Sequence, residues 1–419
     1  MFSRRLHIWL ALGSLAALFA ALVAVNARLS YRPVVVDFGT SSIFSPPEHL
    51  PILWSGNNEV WLLANTTGNS KATPPLNWKA AHNWNRARLD LMLAVPNFDG
   101  MATFCPAKNF FAHTTEGAEI EFWSDNSIRR VKERGHRNQS NVMKPGPINL
   151  LSLSPDGTRL AASSHLWGYG DHEEGLAGFC ELGLVLFDTK SGRQIARQSA
   201  FEGCFADVAW SSDSRELAAI TSDGWVFVLQ AATGKVRLKF RAHQLFGAQV
   251  AWSPDGKTLV TATNPRVALS PTHLEYAFKS GAGLSMGAGE GTITNGQIGD
   301  KNRFTVAQAP NGDATWNGRT ERLLKRFDAR TRRQIGTALP LQTGAVDLAF
   351  SPNGRQIALG EHEFALILNA QTLASERRLD IPKLATSTSV PAPVCVAWSQ
   401  DGATLATSTS RGLTLWRVR

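Results

Sequence analysis

The chain has 419 residues, with 43 basic against 34 acidic side chains, a net charge of +9 and a pI near 9.6. Such a surface favours anionic partners. Yet the basic stretches Arg129–Arg137 and Arg319–Arg333 have acids interspersed and read as solvated strand surface rather than a nucleic-acid tract. The four cysteines lack metal-ligand spacing, which excludes a zinc module of the usual kind.

At the N-terminus Arg4 and Arg5 precede an uncharged run from Ile8 to Val25. A basic head before an apolar run marks export. The run is near the lower limit for crossing a bilayer, and Val25-Asn26-Ala27 offers a small-residue cleavage site. Residues 1–28 therefore read as a signal peptide or an N-terminal transmembrane anchor, in either case one hydrophobic helix. Positive-inside logic keeps the leading residues in the cytoplasm and residues 33–419 outside it. The folded part is then held at the cell membrane if the helix is retained, and is periplasmic or secreted if it is cleaved. Export also makes nucleic acid an unsuitable partner.

Pro33–Phe38 is a short apolar strand. Pro51–Trp54 and Val60–Leu63, followed by Thr67-Gly68, form a first weak repeat. Leu89–Val95, an Asp99-Gly100 turn and Glu119–Trp123 form a second. A clearer cassette follows five times: Leu151-Ser-Leu-Ser-Pro-Asp-Gly157, Val208-Ala-Trp-Ser-Ser-Asp-Ser214, Val250-Ala-Trp-Ser-Pro-Asp-Gly256, Leu348-Ala-Phe-Ser-Pro-Asn-Gly354 and Val396-Ala-Trp-Ser-Gln-Asp-Gly402. Ser-Pro-Asp-Gly has type I turn chemistry: Pro presets φ at the second position, Asp suits the third and Gly the fourth. A third strand comes next, as in Leu182–Asp188, Trp225–Gln230, Leu323–Asp328, Phe364–Asn369 and Leu413–Arg417. A more polar fourth follows, as in Val236–Phe240. Four short strands per repeat, apolar on both faces, suit small sheets packed face to face about an axis. The cassette serines Ser253 and Ser351 are 98 positions apart. The Gly-, Asn- and Thr-rich stretch between them has no second cassette, so it reads as a long loop insertion at about 264–319.

The pattern Val-Ala-Trp-Ser-Pro-Asp-Gly, followed by an aromatic-Asp step and Thr-Gly-Lys, resembles the WD-repeat (WD40-like) β-propeller family. The resemblance covers nearly everything after residue 33. Its namesake Trp stands at Trp123 and Trp416, with Phe at Phe187 and Phe327, and the Asp at Asp188 and Asp328. The resemblance implies an all-β, seven-bladed propeller. The last repeat ends just after its third strand, so Pro33–Phe38 is expected to supply the missing outer strand and close the ring. Only Arg241-Ala-His243 resembles the family's Gly-His pair, so apolar packing is expected to hold the blades. Cys180 begins a third strand and Cys204 precedes the next blade. In propellers those points share a rim, and a Cys180–Cys204 disulfide is expected there. Cys105 and Cys395 read as buried thiols.

Gly283-Leu-Ser-Met-Gly287 matches a hydrolase nucleophile elbow. Its flanks suit neither the strand nor the helix the elbow needs, so Ser285 is not read as a nucleophile. Gly281, Gly283 and Gly287 imitate a dinucleotide fingerprint but lack its strand, helix and acid. The loop His165–Glu174 reads as a polar rim loop. No catalytic residue, cofactor or metal is therefore expected. The chain reads as a non-enzymatic protein–protein interaction scaffold at the outer face of the cytoplasmic membrane. Trp167, Tyr169, Phe201, Phe205 and Phe246 are the candidate contacts, because aromatics are enriched in interface cores. The competing reading is an exported, lactonase-like hydrolase with a metal in the central channel.

Overall fold

Each cassette folds as a hairpin held by its own serine. Gly157 N–H donates to the Ser154 carbonyl (2.8 Å). The Ser154 hydroxyl donates to Asp156 Oδ1 (2.6 Å) and accepts the Arg159 N–H (3.0 Å). The same hydroxyl bonds recur at Ser211, Ser253, Ser351 and Ser399, with Asn353 replacing the Asp in the fourth case. The fourth turn residue is left-handed throughout, and in one turn that residue is Ser214 (φ 61°).

The computed structural model describes residues 34–37, 52–54, 60–65, 93–95, 98–105, 110–115, 119–124, 127–132, 144–167, 183–198, 205–244, 246–265, 294–298, 302–308, 314–316, 319–382, 393–409 and 412–418. All regular elements among them are strands, so no helix long and apolar enough to cross a membrane occurs in these residues. After β1 (Val34–Asp37), the first sheet contains β2 (Ile52–Trp54), β3 (Val60–Asn65) and β4 (Leu93–Val95). The second contains β5 (Phe98–Cys105), β6 (Phe110–Thr115), β7 (Glu119–Ser124) and β8 (Ser127–Lys132). The third contains β9 (Lys144–Leu153), β10 (Arg159–Trp167), β11 (Leu184–Asp188) and β12 (Gln194–Gln198). The fourth contains β13 (Phe205–Trp210), β14 (Glu216–Thr221), β15 (Trp225–Gln230) and β16 (Val236–Arg241). The fifth begins with β17 (Gly247–Trp252) and β18 (Thr258–Thr263). Between β18 and the rest of that sheet a separate three-stranded meander intervenes: β19 (Thr294–Ile298), β20 (Asn302–Gln308) and β21 (Ala314–Trp316). The fifth sheet then resumes with β22 (Leu323–Asp328) and β23 (Leu339–Pro340). The sixth contains β24 (Asp347–Phe350), β25 (Gln356–Gly360), β26 (Phe364–Asn369) and β27 (Ser375–Asp380). The seventh contains β28 (Cys395–Trp398), β29 (Thr404–Thr409) and β30 (Gly412–Arg417).

The second to seventh sheets, six in all, are four-stranded and antiparallel throughout. The seventh takes its fourth strand from β1, with Val34 opposite Leu415 and Asp37 opposite Gly412. The first and last described strands thus share one sheet.

Successive side chains on a strand point to opposite faces, and here both faces are apolar. Leu160 and Ala162 pack with Ile120 and Phe122 of the second sheet, while Ala161 packs with Leu217 and Phe227 of the fourth. Similar cores join the fourth sheet to the fifth through Ile220, Val250 and Leu259, and the fifth to the sixth through Val260, Leu324 and Leu359. Another joins the sixth to the seventh through Ile367, Val396 and Trp416. Burying each Leu, Ile or Phe contributes about 1.5–3 kcal/mol, which accounts for wholly buried runs such as Leu184–Phe187. First strands also lie beside first strands, β9 with β5 and β13, and β17 with β13 and β24. β28 lies beside both β24 and β2, and β3 lies beside β5.

Three sequence expectations are corrected. Asp99-Gly100 is no hairpin turn: it lies inside β5, where a register shift between Phe98 and Ala102 absorbs it as a bulge. Leu93–Val95 does not open the second sheet but pairs in parallel with β3 of the first. The insertion read as a loop carries the β19–β21 meander, whose pairing does not depend on the apolar alternation that composition can reveal.

Candidate functional site

Antiparallel pairing sorts the connections by end. First-to-second and third-to-fourth strand connections fall at one end of each of sheets two to seven. Second-to-third connections and those leading to the next sheet fall at the other. At the first end the connections are short and uniform: 154–158, 211–215, 253–257, 351–355 and 399–403, with 189–193, 231–235 and 370–374, the longest in sheets three to seven being 329–338. The four longest connections of sheets two to seven, 133–143, 168–183, 264–322 and 381–394, all leave the opposite end, whereas in the first sheet 66–92 links the two ends because β3 and β4 are parallel. The tight turns of neighbouring sheets touch, which aligns these ends: Asp156 N–H donates to Ser214 Oγ (3.0 Å), and Ser212 Oγ donates to the Pro254 carbonyl (2.7 Å). A Cβ placed on Gly402 would lie 3.3 Å from Pro352.

The candidate aromatic contacts differ in what the structure describes of them. Trp167 is the last residue of β10, with its side chain outside the described set. Tyr169, Phe201, Cys180 and Cys204 lie outside the described residues. Phe205 is buried in the core between the third and fourth sheets, edge-on to Phe227 at 5.6 Å. Phe246 is also buried, with a left-handed backbone (φ 59°) and its carbonyl accepting the Asn264 N–H (2.9 Å). Both serve packing here. Cys105 is a buried free thiol whose Sγ donates to the Pro155 carbonyl (3.2 Å).

Two first-strand carboxylates were not singled out by sequence. Asp207 Oδ2 accepts the Val250 N–H of the next sheet (2.9 Å), and Oδ1 accepts the Val208 N–H (2.8 Å). Asp347 repeats the device with Val396 (2.8 Å) and Leu348 (2.8 Å). Both residues keep a partly open surface, yet protein surrounds the carboxyl groups closely and that enclosure dominates. Burial pushes Asp207 up to about 8, against the Val250 hydrogen bond and aided by the charge of Asp347. Burial pushes Asp347 up to about 6, opposed by the Val396 and Leu348 N–H groups. On the adjoining strand, burial and the Asp347 charge raise the Cys395 thiol, so it is held as the unreactive thiol form. Trp residues clip the same strands in the reverse direction: Trp210 Nε1 donates to the Ser152 carbonyl and Trp398 Nε1 to the Ala349 carbonyl, each at 3.2 Å.

One buried polar chain departs from the expectation of apolar packing alone. His243 Nε2 meets Thr261 Oγ1 (2.8 Å), and its Nδ1 meets Glu321 Oε1 (3.1 Å). Lys325 Nζ donates to the same oxygen (2.8 Å), and Gln244 N–H to Glu321 Oε2 (2.8 Å). Burial lowers His243, keeping the ring neutral. Glu321 falls to about 2: its own burial opposes ionisation, but the His243 and Lys325 hydrogen bonds outweigh it. The Ala-His243 dipeptide was the only sequence signal for this chain. Glu321 lies beyond the insertion and could not be paired with it by spacing.

Among the described residues no group of three or more His, Cys, Asp or Glu side chains is arranged to hold a metal ion. No protein-family model matches this chain, and comparison with curated proteins found no significant match.

Proposed function

We propose that the seven sheets form one closed propeller, anchored through the N-terminal apolar segment at the outer face of the cytoplasmic membrane and acting as a protein–protein interaction scaffold. The division of connections in sheets two to seven carries this reading: short turns leave one end, and the four longest connections, including the one bearing β19–β21, leave the other. Loops on a rigid scaffold are where recognition usually resides. The contacts of β2 with β28 and of β3 with β5 support circular order. So does the β1–β30 pairing, because a closed ring leaves no unpaired sheet face.

The test is in-cell crosslinking of tagged protein from the membrane fraction, comparing wild type with a chain in which 266–318 is replaced by a short Gly-Ser linker. Loss of specific crosslinked partners, with an unfolding temperature within about 4 °C of wild type, is the expected outcome. Recovery of uncrosslinked monomer from the wild type would remove the scaffold reading. The alternative, a metal-dependent hydrolase, has one observation in its favour: Asp207 and Asp347 come from different sheets, as ligands for an axial metal would. Stoichiometric calcium or zinc in purified protein, with an activity abolished by chelation, would establish it instead.

A further inference from the structure

Resting on the anchored-propeller reading, the geometry points to the tight-turn end as a docking face for the anionic phospholipid surface of the membrane that receives residues 8–25. The direction of β1 provides the first support. β30 follows β29 through a connection at the long-connection end, so it runs toward the tight-turn end. β1 is antiparallel to β30, and Val34 therefore starts at the tight-turn end. Only residues 26–33 separate the apolar run from that strand, a reach of about 30 Å fully extended. Those residues include Arg28, Tyr31 and Arg32, types that settle at a membrane interface.

Charge on the same end provides the second, independent support. The residue after each left-handed turn position is basic in three successive sheets: Arg215, Lys257 and Arg355, all exposed. Lys235, Arg330 and Arg332 extend the row through the third-to-fourth strand turns of the fourth and fifth sheets. The acids of these turns are themselves exposed but are engaged within the turns. Asp213 and Asp255 accept the hydroxyls of Ser211 and Ser253 and backbone N–H groups two residues on. Arg215 stays 85 % exposed although Asp213 is 3.9 Å away. Uniform short turns present these cations at one level, where several basic groups act together on a negatively charged surface. The end from which the longest connections leave then faces away from the bilayer.

The test uses the full chain reconstituted in vesicles of phosphatidylcholine alone or mixed with phosphatidylglycerol, with flotation and amide hydrogen exchange read together. In the anionic vesicles, peptides covering 211–215, 253–257 and 351–355 are expected to exchange roughly tenfold more slowly, with the difference lost at about 1 M salt, where screening is nearly complete. The triple variant Arg215→Gln, Lys257→Gln, Arg355→Gln should float and unfold as wild type does while losing that difference. Flotation with equal exchange in both vesicles would overturn the docking face and leave the anchor standing. Slowing confined to 242–246 and 341–346 would reverse the orientation and also overturn it. Failure to float would remove the anchor reading and the docking face with it.

Discussion

Asp207 shows how one side chain can serve architecture and still carry an energetic cost. Its carboxyl is aimed at the next sheet's backbone, which no water-exposed residue could clip so directly, but it is enclosed well enough to resist ionisation. Its ordinary value of 3.8 rises to about 8 on folding. The folded state then holds the proton more tightly than the unfolded chain between those values, so stability falls as pH rises through that window. The loss is on the order of 5 kcal/mol by pH 8. Asp207→Asn cannot ionise, but it keeps only one accepting oxygen for the Val208 and Val250 N–H groups, a cost that does not vary with pH. Its unfolding temperature, measured by differential scanning calorimetry, should fall furthest below wild type near pH 3.5 and gain on wild type steadily up to pH 8.5. Parallel curves for the two proteins would show that Asp207 ionises freely. Glu321 acts with opposite sign and in a separate window: its lowered value contributes stability above the ordinary value of 4.5, lost as pH falls toward about 2.

At the scale of strands and turns, legibility followed sequence distance. Ser154, Asp156 and Gly157 close a turn with neighbours no more than five positions away, and local turn chemistry revealed them. The Asp207–Val250 and Asp347–Val396 clips join residues of different repeats, and nothing near either partner announces them. Asp99-Gly100 misled because the same dipeptide suits a tight turn and a bulge, and only the partner strand decides between them. Glycines divide likewise. Gly256 has φ 72°, and a Cβ added there would meet nothing within 4 Å; Ser214 already occupies the matching position of the fourth sheet. Gly256→Ala should therefore cost only about 1–2 kcal/mol, the left-handed penalty. At Gly360 a Cβ would stand 1.9 Å from the Val394 carbonyl oxygen, where the sixth sheet meets the segment entering the seventh. Gly360→Ala must displace backbone and should cost about 3 kcal/mol or more. Urea unfolding of both variants ranks them; equal midpoints would mean that this contact yields without strain.

For the whole molecule the decisive element is the smallest. Sheets two to seven are joined in sequence by shared cores, each of which is lost only if two neighbours part. β1 differs because it joins sequence-distant ends: without it β30 would present a free edge, with its N–H and C=O groups open to another chain. Replacing 33–38 by Gly and Ser residues of equal number keeps the tether to the apolar segment while removing the valines that make β1 a strand former. Four residue pairs and their packing go with it, a loss of about 3 kcal/mol. If the sheets unfold as one cooperative ring, calorimetry will show a single transition lowered by roughly 4 °C, with faster aggregation through the exposed edge. If only the seventh sheet depends on β1, the same variant will show a split transition, its main component unmoved. An unchanged thermogram would mean that β1 contributes nothing to holding the ends together, and the circular arrangement would then rest on the contacts of β2 with β28 and β29 and of β3 with β5.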